Sequence, residues 1–423
     1  MDSALRALYT LLWLLALPLV GLRLLWRSRK QPEYLQHVGE RFGLGGWSHA
    51  DPCIWLHSVS VGETRAAQPL VRALLEHYPG HRILLTHMTP TGRATARELF
   101  GKELRVESRY LPYDLPWCVR SFLRSTRPAL GIVMETEVWP NLMAATLAEN
   151  IPTVLVNARL SERSARGYKR IGALARPAFA AFTRILAQSE ADAERLRSLG
   201  AGDVHVCGNM KFDLRLDEDK LALGDRFKAL AGNRPVLLAA STREGEEALL
   251  LEAFTRHCRA EVLLVLVPRH PQRFDEVAQL VERNGLTLAR RSAGEQPIGA
   301  GVRVWLGDSM GEMLAYYRMA DAALIGGSWL PLGGQNLIEA CAVGTPVLIG
   351  PHTFNFAEAT EGAIAAGAAR RCPDVDVALK ASQRLLDTPS RKTKMRDAGL
   401  AFAAAHRGAT RRTIDAIKDV MGW

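Results

Sequence analysis

The sequence predicts an α/β protein of two domains, each an open parallel sheet with helices, facing a cleft and preceded by an apolar anchor helix. Three observations predict this. A chain of 423 residues is too long for one core of ordinary size and favours two domains of about 200 residues each. From residue 53 to residue 350, short apolar runs alternate with amphipathic segments, the pattern of repeated βα units. The first thirty residues differ in kind, being a charge-free apolar run closed by a basic cluster.

Between Arg6 and Arg23 there is no charge, and Arg23, Arg27, Arg29 and Lys30 follow. The run falls short of the roughly 20 residues of a spanning helix, but Leu24, Leu25 and Trp26 extend it and arginine snorkels. An anchor over residues 1–30 is expected, single-pass or lying in the interface, with the basic cluster holding the remaining chain in the cytoplasm. A cleaved signal peptide fits less well, because Asp2 balances Arg6 and no A-x-A site follows.

The first domain, residues 31–215, reads strands in CIWLHS, RILLTH, LGIVME, TVLVNA, RILAQS and VHVCG. The second, residues 216–423, reads them in VLLAAS, EVLLVLVP, VRVWLG, AALIGG and PVLIG, and from Val375 onward the pattern is helical. The polar stretch from Asp213 to Arg234 divides them. Ligands of open parallel sheets sit at the carboxyl ends of the strands, so the candidates for chemistry are sought there.

In the second domain VRVWLG runs into Asp308, Ser309, Met310, Gly311 and Glu312, where free N–H groups at a helix start can bind phosphate oxygens. AALIGG delivers Gly326, Gly327 and Ser328 into a loop, and Gly333, Gly334, Gln335 and Asn336 are expected to open the next helix. Glu339, three residues after Asn336, can accept both hydroxyls of a ribose or close a capping box. Pro268 ends a strand and places Arg269 at the sheet edge, where it can pair with a phosphate, cover a base or simply face solvent. The segment Ser241 to Glu244 is a similar but less specific helix start. Two phosphate-type loops without a dinucleotide fingerprint point to a nucleotide-sugar glycosyltransferase.

In the first domain Glu63 follows CIWLHS near the start of a helix, where a carboxylate can act as general base on an acceptor hydroxyl or serve the helix dipole. Glu135 and Glu137 stand at the end of LGIVM, and one of them is expected to face the cleft. Lys211, at the close of the domain, can stabilise developing negative charge or remain solvated.

The net charge of +10 favours an anionic partner. Arg159, Arg163, Arg166, Lys169, Arg170 and Arg176 cluster after TVLVNA, as a solvated basic face or a seat for a phosphorylated lipid at an anionic membrane surface. No aromatic interleaving or nucleic-acid module accompanies them, so nucleic acid is not expected as a partner. The six cysteines show no CxxC pair, which excludes a disulfide framework or zinc site of the usual spacing. Asp217/Asp219 and Asp374/Asp376 lack strand-end placement, so no metal is expected.

Taken together, SVSVGE, TPTGR, METEVWPNL, NARLSERS, GNMKFD, PRHPQRF, GDSMGEM, GGSWLPLGGQNLIEA and GPHTFNF resemble the 3-deoxy-D-manno-octulosonic acid (Kdo) transferases of lipopolysaccharide assembly, over nearly the whole chain. The resemblance implies the GT-B fold of two Rossmann-like domains. It also implies an inverting transfer from CMP-Kdo to the lipid A precursor lipid IVA, without cofactor or divalent metal, at the cytoplasmic face of the bacterial inner membrane. It carries the proton acceptor onto Glu63 and transition-state stabilisation onto Glu135 and Lys211. It carries CMP contacts onto Pro268, Arg269, Met310, Gly311, Glu312, Asn336, Leu337, Ile338 and Glu339. One departure is Gln335, where the family usually has histidine; glutamine hydrogen-bonds but does not titrate. A UDP-sugar transferase or epimerase, or a non-catalytic polysaccharide-binding protein, would share the fold.

Overall fold

The computed structural model describes residues 3–47, 49–213 and 216–422. The chain divides into two compact units, Met1–Asp213 with Arg407–Trp423, and Leu214–His406.

The first unit holds strands β1 Cys53–His57, β2 Arg82–His87, β3 Val106–Tyr110, β4 Pro128–Met134, β5 Thr153–Ala158, β6 Arg184–Ala187 and β7 Val204–Val206. Their order is β3-β2-β1-β4-β5-β6-β7, all parallel, so the connection reverses direction between β1 and β4. The sequence did not signal β3: its VESRY is charged and only its last residue is buried, as suits an edge strand. Tight packing at the centre depends on Gly131, which pairs with Trp55; a Cβ there would stand 3.0 Å from the indole.

The helix Val61–His77 after β1 starts at the N-cap Ser60 and buries Thr64, Ala67, Leu70, Val71 and Leu74, a one-sided stripe of helical period. Onto the same core cluster folds the last helix, Ala409–Met421, through Ala409, Ile414 and Ile417. Its start is held by Asp213, whose carboxylate accepts from the N–H groups of Gly408, at 2.6 Å, and Thr410. The expected division into 31–215 and 216–423 therefore needs correction. The terminal helix belongs to the first unit, because its apolar face completes that unit's core; the expected boundary itself touches residues 214–215, outside the described residues. The N-terminal helix Ser3–Ser28 also clusters with the first unit instead of forming a separate segment of residues 1–30.

The second unit holds β8 Val236–Thr242, β9 Leu263–Pro268, β10 Leu288–Arg290, β11 Val304–Leu306, β12 Ala322–Ile325, β13 Val347–Ile349 and β14 Ala369–Arg371. Their order is β10-β11-β9-β8-β12-β13-β14, again parallel, with the reversal between β8 and β12. The three-residue edge strands β10 and β14 carry arginines and gave no apolar run to read. In the two Asp pairs, Asp217 and Asp374 cap helices, and Asp376 bonds His257 at 2.6 Å. All six cysteines are free and buried.

Candidate functional site

The reversal between β1 and β4 leaves a crevice at the carboxyl edge of the first sheet, and the loops after these two strands carry Glu63 and Glu135. Glu63 lies in the first turn of its helix and closes a capping box. Its Oε1 accepts from Ser60 Oγ at 2.9 Å and its Oε2 from the Val59 N–H at 2.8 Å, while the Ser60 hydroxyl accepts from the Glu63 N–H at 3.4 Å. These bonds fix the carboxylate in place. Burial pushes its carboxyl up to about 7, with the charges of Glu135 and Glu137 adding to the rise against the Val59 and Ser60 bonds. A carboxyl poised near neutrality has the proton affinity that general-base chemistry calls for. Beneath this loop His57 and His87 are buried and neutral, pushed down to about 3 and about 4 chiefly by burial. His87 Nδ1 lies 2.9 Å from the Ser58 carbonyl, bracing the segment that leads to Glu63.

Glu135 follows β4 directly with φ at 58°, a left-handed conformation that a glutamate adopts only when its surroundings enforce it. Its Oε1 accepts from Lys211 Nζ at 3.0 Å. Of the two carboxylates after this strand, Glu135 pairs with the lysine, while burial raises the Glu137 carboxyl, with Glu135 adding to it. Lys211 rides on the single turn Met210–Phe212, and three residues that sequence reasoning passed over hold this turn. Asn157, at φ 52°, accepts from the Met210 N–H at 3.0 Å. Gln188 donates to the Asn157 carbonyl, and Asn209 donates to Gln188, both at 2.9 Å. Asn157 and Asn209 lie inside the quoted motifs NARLSERS and GNMKFD, which was the available signal; Gln188 had none beyond its strand-end position.

In the second unit the loops after β11, β9, β8, β12 and β13 emerge side by side along one sheet edge. At the reversal point the approach is so close that a Cβ on Gly326 would lie 2.5 Å from the Ser241 carbonyl oxygen. Two fully buried carboxylates that the sequence did not single out organise the edge. Glu246 accepts from the N–H groups of Arg243 at 2.9 Å, Gly327 at 2.6 Å and Trp329 at 3.0 Å, tying the β8 and β12 loops together. Glu247 accepts from Thr242 Oγ1 and from both terminal nitrogens of Arg273, joining the β9 loop.

Arg269 is exposed, as its position after Pro268 predicts, and no carboxylate among the described residues pairs with it or with Arg243. Both guanidinium charges, after the effect of burial, help to lower His270. The ends of β8 and β9 therefore present two uncompensated cations, a seat for an anion. Arg243 stood in the weaker of the sequence candidates.

Of the remaining candidates, Met310 is 65% exposed and Gly311 has φ 76°. Glu312 is committed to Arg291, with bonds of 3.0 and 3.2 Å. Burial pushes Asp308 up, yet bonds from Ser292 and Arg290 outweigh it and hold its carboxyl below the usual range. The helix expected to open at Gly333 spans only Ile338–Ala342; Gly333 and Gly334, at φ 92° and 75°, keep the preceding residues in a loop. Asn336 Nδ2 bonds Glu339 Oε1 at 3.1 Å, and Asn336 Oδ1 takes the Ile338 N–H at 2.9 Å, so the two residues do come together. The Leu337 and Ile338 side chains are buried in the core and present no surface to a ligand. Gln335 Nε2 lies beside Gly327, 3.1 Å from where a Cβ would be.

A family model described as 3-deoxy-D-manno-octulosonic-acid transferase (kdotransferase) matches residues 36–214. A 3-deoxy-D-manno-octulosonic acid transferase of Bordetella pertussis is 47% identical over 99% of this chain and 100% of its own length. The Haemophilus influenzae enzyme of the same name is 38% identical over 98% of each chain. Among solved structures, UDP-GlcNAc 2-epimerase from Neisseria meningitidis matches with TM-score 0.60 at 16% identity, over 87% of this chain and 100% of that one. A glycosyltransferase from Rickettsia africae matches with TM-score 0.59 at 14% identity, over 88% and 99%. These two establish the GT-B fold alone. Near-complete coverage by the two transferases, on a chain whose strand ends carry the residues above, places this glycosyltransferase in the 3-deoxy-D-manno-octulosonic acid transferase family.

Proposed function

We propose that the chain transfers Kdo from CMP-Kdo to the lipid A precursor lipid IVA, with inversion and without a divalent metal, at the cytoplasmic face of the inner membrane. The observation that carries this reading is the Glu63 carboxyl, raised to about 7 and held in its capping box beside the Glu135–Lys211 pair. Glu63 takes the proton of the acceptor 6′-hydroxyl as its oxygen bonds the anomeric carbon. The bond from that carbon to the phosphate oxygen breaks, and CMP leaves with the electron pair. Lys211, oriented by Glu135, offsets negative charge developing in the transition state. The second unit holds the nucleotide: Arg269 and Arg243 face its phosphate, and the Asn336–Glu339 pair offers acceptors to its ribose. The basic side chains after β5 and the apolar N-terminal helix suit an acceptor that is both phosphorylated and lipidic.

The test is to incubate the purified chain with CMP-Kdo and tetraacylated lipid A precursor and weigh the lipid by mass spectrometry. Mass gained in Kdo steps, without added metal and in the presence of chelator, is the expected result. An unchanged lipid mass overturns the proposal, and preference for UDP over CMP in direct binding favours a UDP-sugar enzyme.

A further inference from the structure

The helix Ser3–Ser28 is apolar and long enough to cross a bilayer, yet it is not free on all sides. Positions half-covered by the first unit recur every three or four residues from Arg6 to Ser28, as Arg6, Tyr9, Thr10, Trp13, Leu17 and Val20 do in its first part. Trp13, Leu17 and Val20 pack on Tyr113, Leu115 and Cys118, with the Trp13 and Tyr113 rings 5.7 Å apart. Thr10 Oγ1 accepts from Asn141 Nδ2 at 3.1 Å, and Asn141, itself buried, is bonded to Asp114. At the far end Arg27 donates to Tyr34 at 3.0 Å. The helix, 26 residues or about 39 Å long, is thus fastened to the first unit at Thr10, Trp13, Leu17 and Val20 and tied to Tyr34 near its end. A spanning helix must pass through about 30 Å of hydrocarbon, and this one would draw the Asp114–Asn141 backbone in with it.

The opposite face is continuous and apolar: Leu8, Leu11, Leu15, Leu19, Leu22 and Trp26 are each between 51% and 68% exposed. Basic groups border it. Arg23, Arg29 and Lys30 are exposed, and so are Arg163, Arg166, Lys169 and Arg170 on the helix Glu162–Arg170. That helix leads into the helix Gly172–Ala180, which packs against the N-terminal helix.

We propose that the N-terminal helix does not cross the membrane but lies in its surface, bedded on the first unit, with its leucine face sunk in the acyl boundary of an anionic leaflet. An apolar face of leucines and one tryptophan, accompanied by cations, matches such a leaflet in both polarity and charge. The inference does not depend on the identity of donor or acceptor, so an enzyme that failed to glycosylate lipid IVA would leave it intact.

The test uses the full chain in a bacterial host, with single substitutions Ala4→Cys and Leu104→Cys; the native cysteines are all buried, and Leu104 is 86% exposed on the first unit. Inside-out and right-side-out membrane vesicles are treated with a membrane-impermeant maleimide. An in-plane helix labels at position 4 and at position 104 in the same vesicle orientation, to within about twofold of each other. Labelling from opposite sides overturns the proposal. A Thr10→Cys, Asn141→Cys double variant joined by a short bifunctional thiol reagent in the membrane-bound protein supports it; loss of that cross-link on membrane binding overturns it. Flotation of L11Q/L15Q/L19Q/L22Q with phosphatidylethanolamine–phosphatidylglycerol vesicles is expected to fall at least tenfold. Undiminished flotation, or a leucine face buried in a dimer that vesicles do not dissociate, also overturns it.

Discussion

Replacing Glu63 by glutamine is expected to stabilise the protein while disabling it. Burial raises the Glu63 carboxyl from 4.5 to about 7. The folded chain therefore holds that proton more tightly than the unfolded chain does. The resulting penalty is absent below about pH 4.5, grows as pH rises, and is complete above about pH 7. A shift of about 2.5 units corresponds to about 3 kcal/mol at 1.36 kcal/mol per unit. Glutamine keeps one oxygen for Ser60 or Val59 but loses the other acceptor, which costs about 1 kcal/mol. The net expectation is a gain of about 2 kcal/mol at pH 8 and no significant change at pH 5. Urea unfolding at the two pH values, followed by tryptophan fluorescence, measures it; kcat/KM measured alongside is expected to fall by 10² to 10⁴. A variant less stable than the parent at pH 8, or one whose stability difference ignores pH, would refute the reasoning that burial tensions this carboxylate. Near-normal turnover would refute its role as base.

Four further outcomes follow from the same geometry. Lys211→Met leaves the Glu135 charge uncompensated beside Glu63, so the acid limb of the kcat/KM profile, expected near pH 7 in the parent, moves to higher pH and kcat drops at least about a hundredfold. Glu246→Ala strands three N–H groups, two of them buried, and the second unit should lose about 3 kcal/mol, read as a lowered calorimetric transition, with CMP binding weakened about tenfold. Arg243→Ala and Arg269→Ala are each expected to weaken CMP binding by tenfold or more in titration calorimetry while leaving the melting temperature within about a degree. Truncation after His406 removes Ile414 and Ile417 from the first unit's core at a cost of about 3 to 6 kcal/mol, so limited proteolysis should cut residues 53–213 while the second unit persists.

Ten of the eleven strands read from the sequence are largely buried and show apolar runs, such as ILL in β2 and LLVLV in β9; the other, β7, is an edge strand of which only Val204 is buried. The three it lacked, β3, β10 and β14, lie at or next to sheet edges, where one side is wet and arginines are tolerated. The placement of Glu63, Glu135, Lys211 and Arg269 was legible because strand ends and turn residues locate a sheet's carboxyl edge. Their supports were not. Glu246 and Glu247 read as ordinary first-turn acids, and only the fold reveals that they collect N–H and guanidinium groups from loops up to 83 residues away. The helix expected at Gly333 failed for a local reason, two successive glycines in left-handed backbone. The terminal helix was assigned to the wrong unit because an amphipathic stripe states that a face is buried, not against what.

That last helix also sets an order of manufacture. The first unit's sheet leaves the ribosome early, but the piece that covers Leu70 and Leu74 is translated only after the whole second unit. At about 5 to 20 residues per second, the gap lasts roughly 10 to 40 seconds. During it the nascent first unit carries an open apolar slot, and Asp213 waits for the Gly408 and Thr410 amides it will hold. Every molecule therefore passes through a stage in which its second unit can be complete and its first cannot. A stop codon a few positions early falls hardest on the part of the enzyme that was made first.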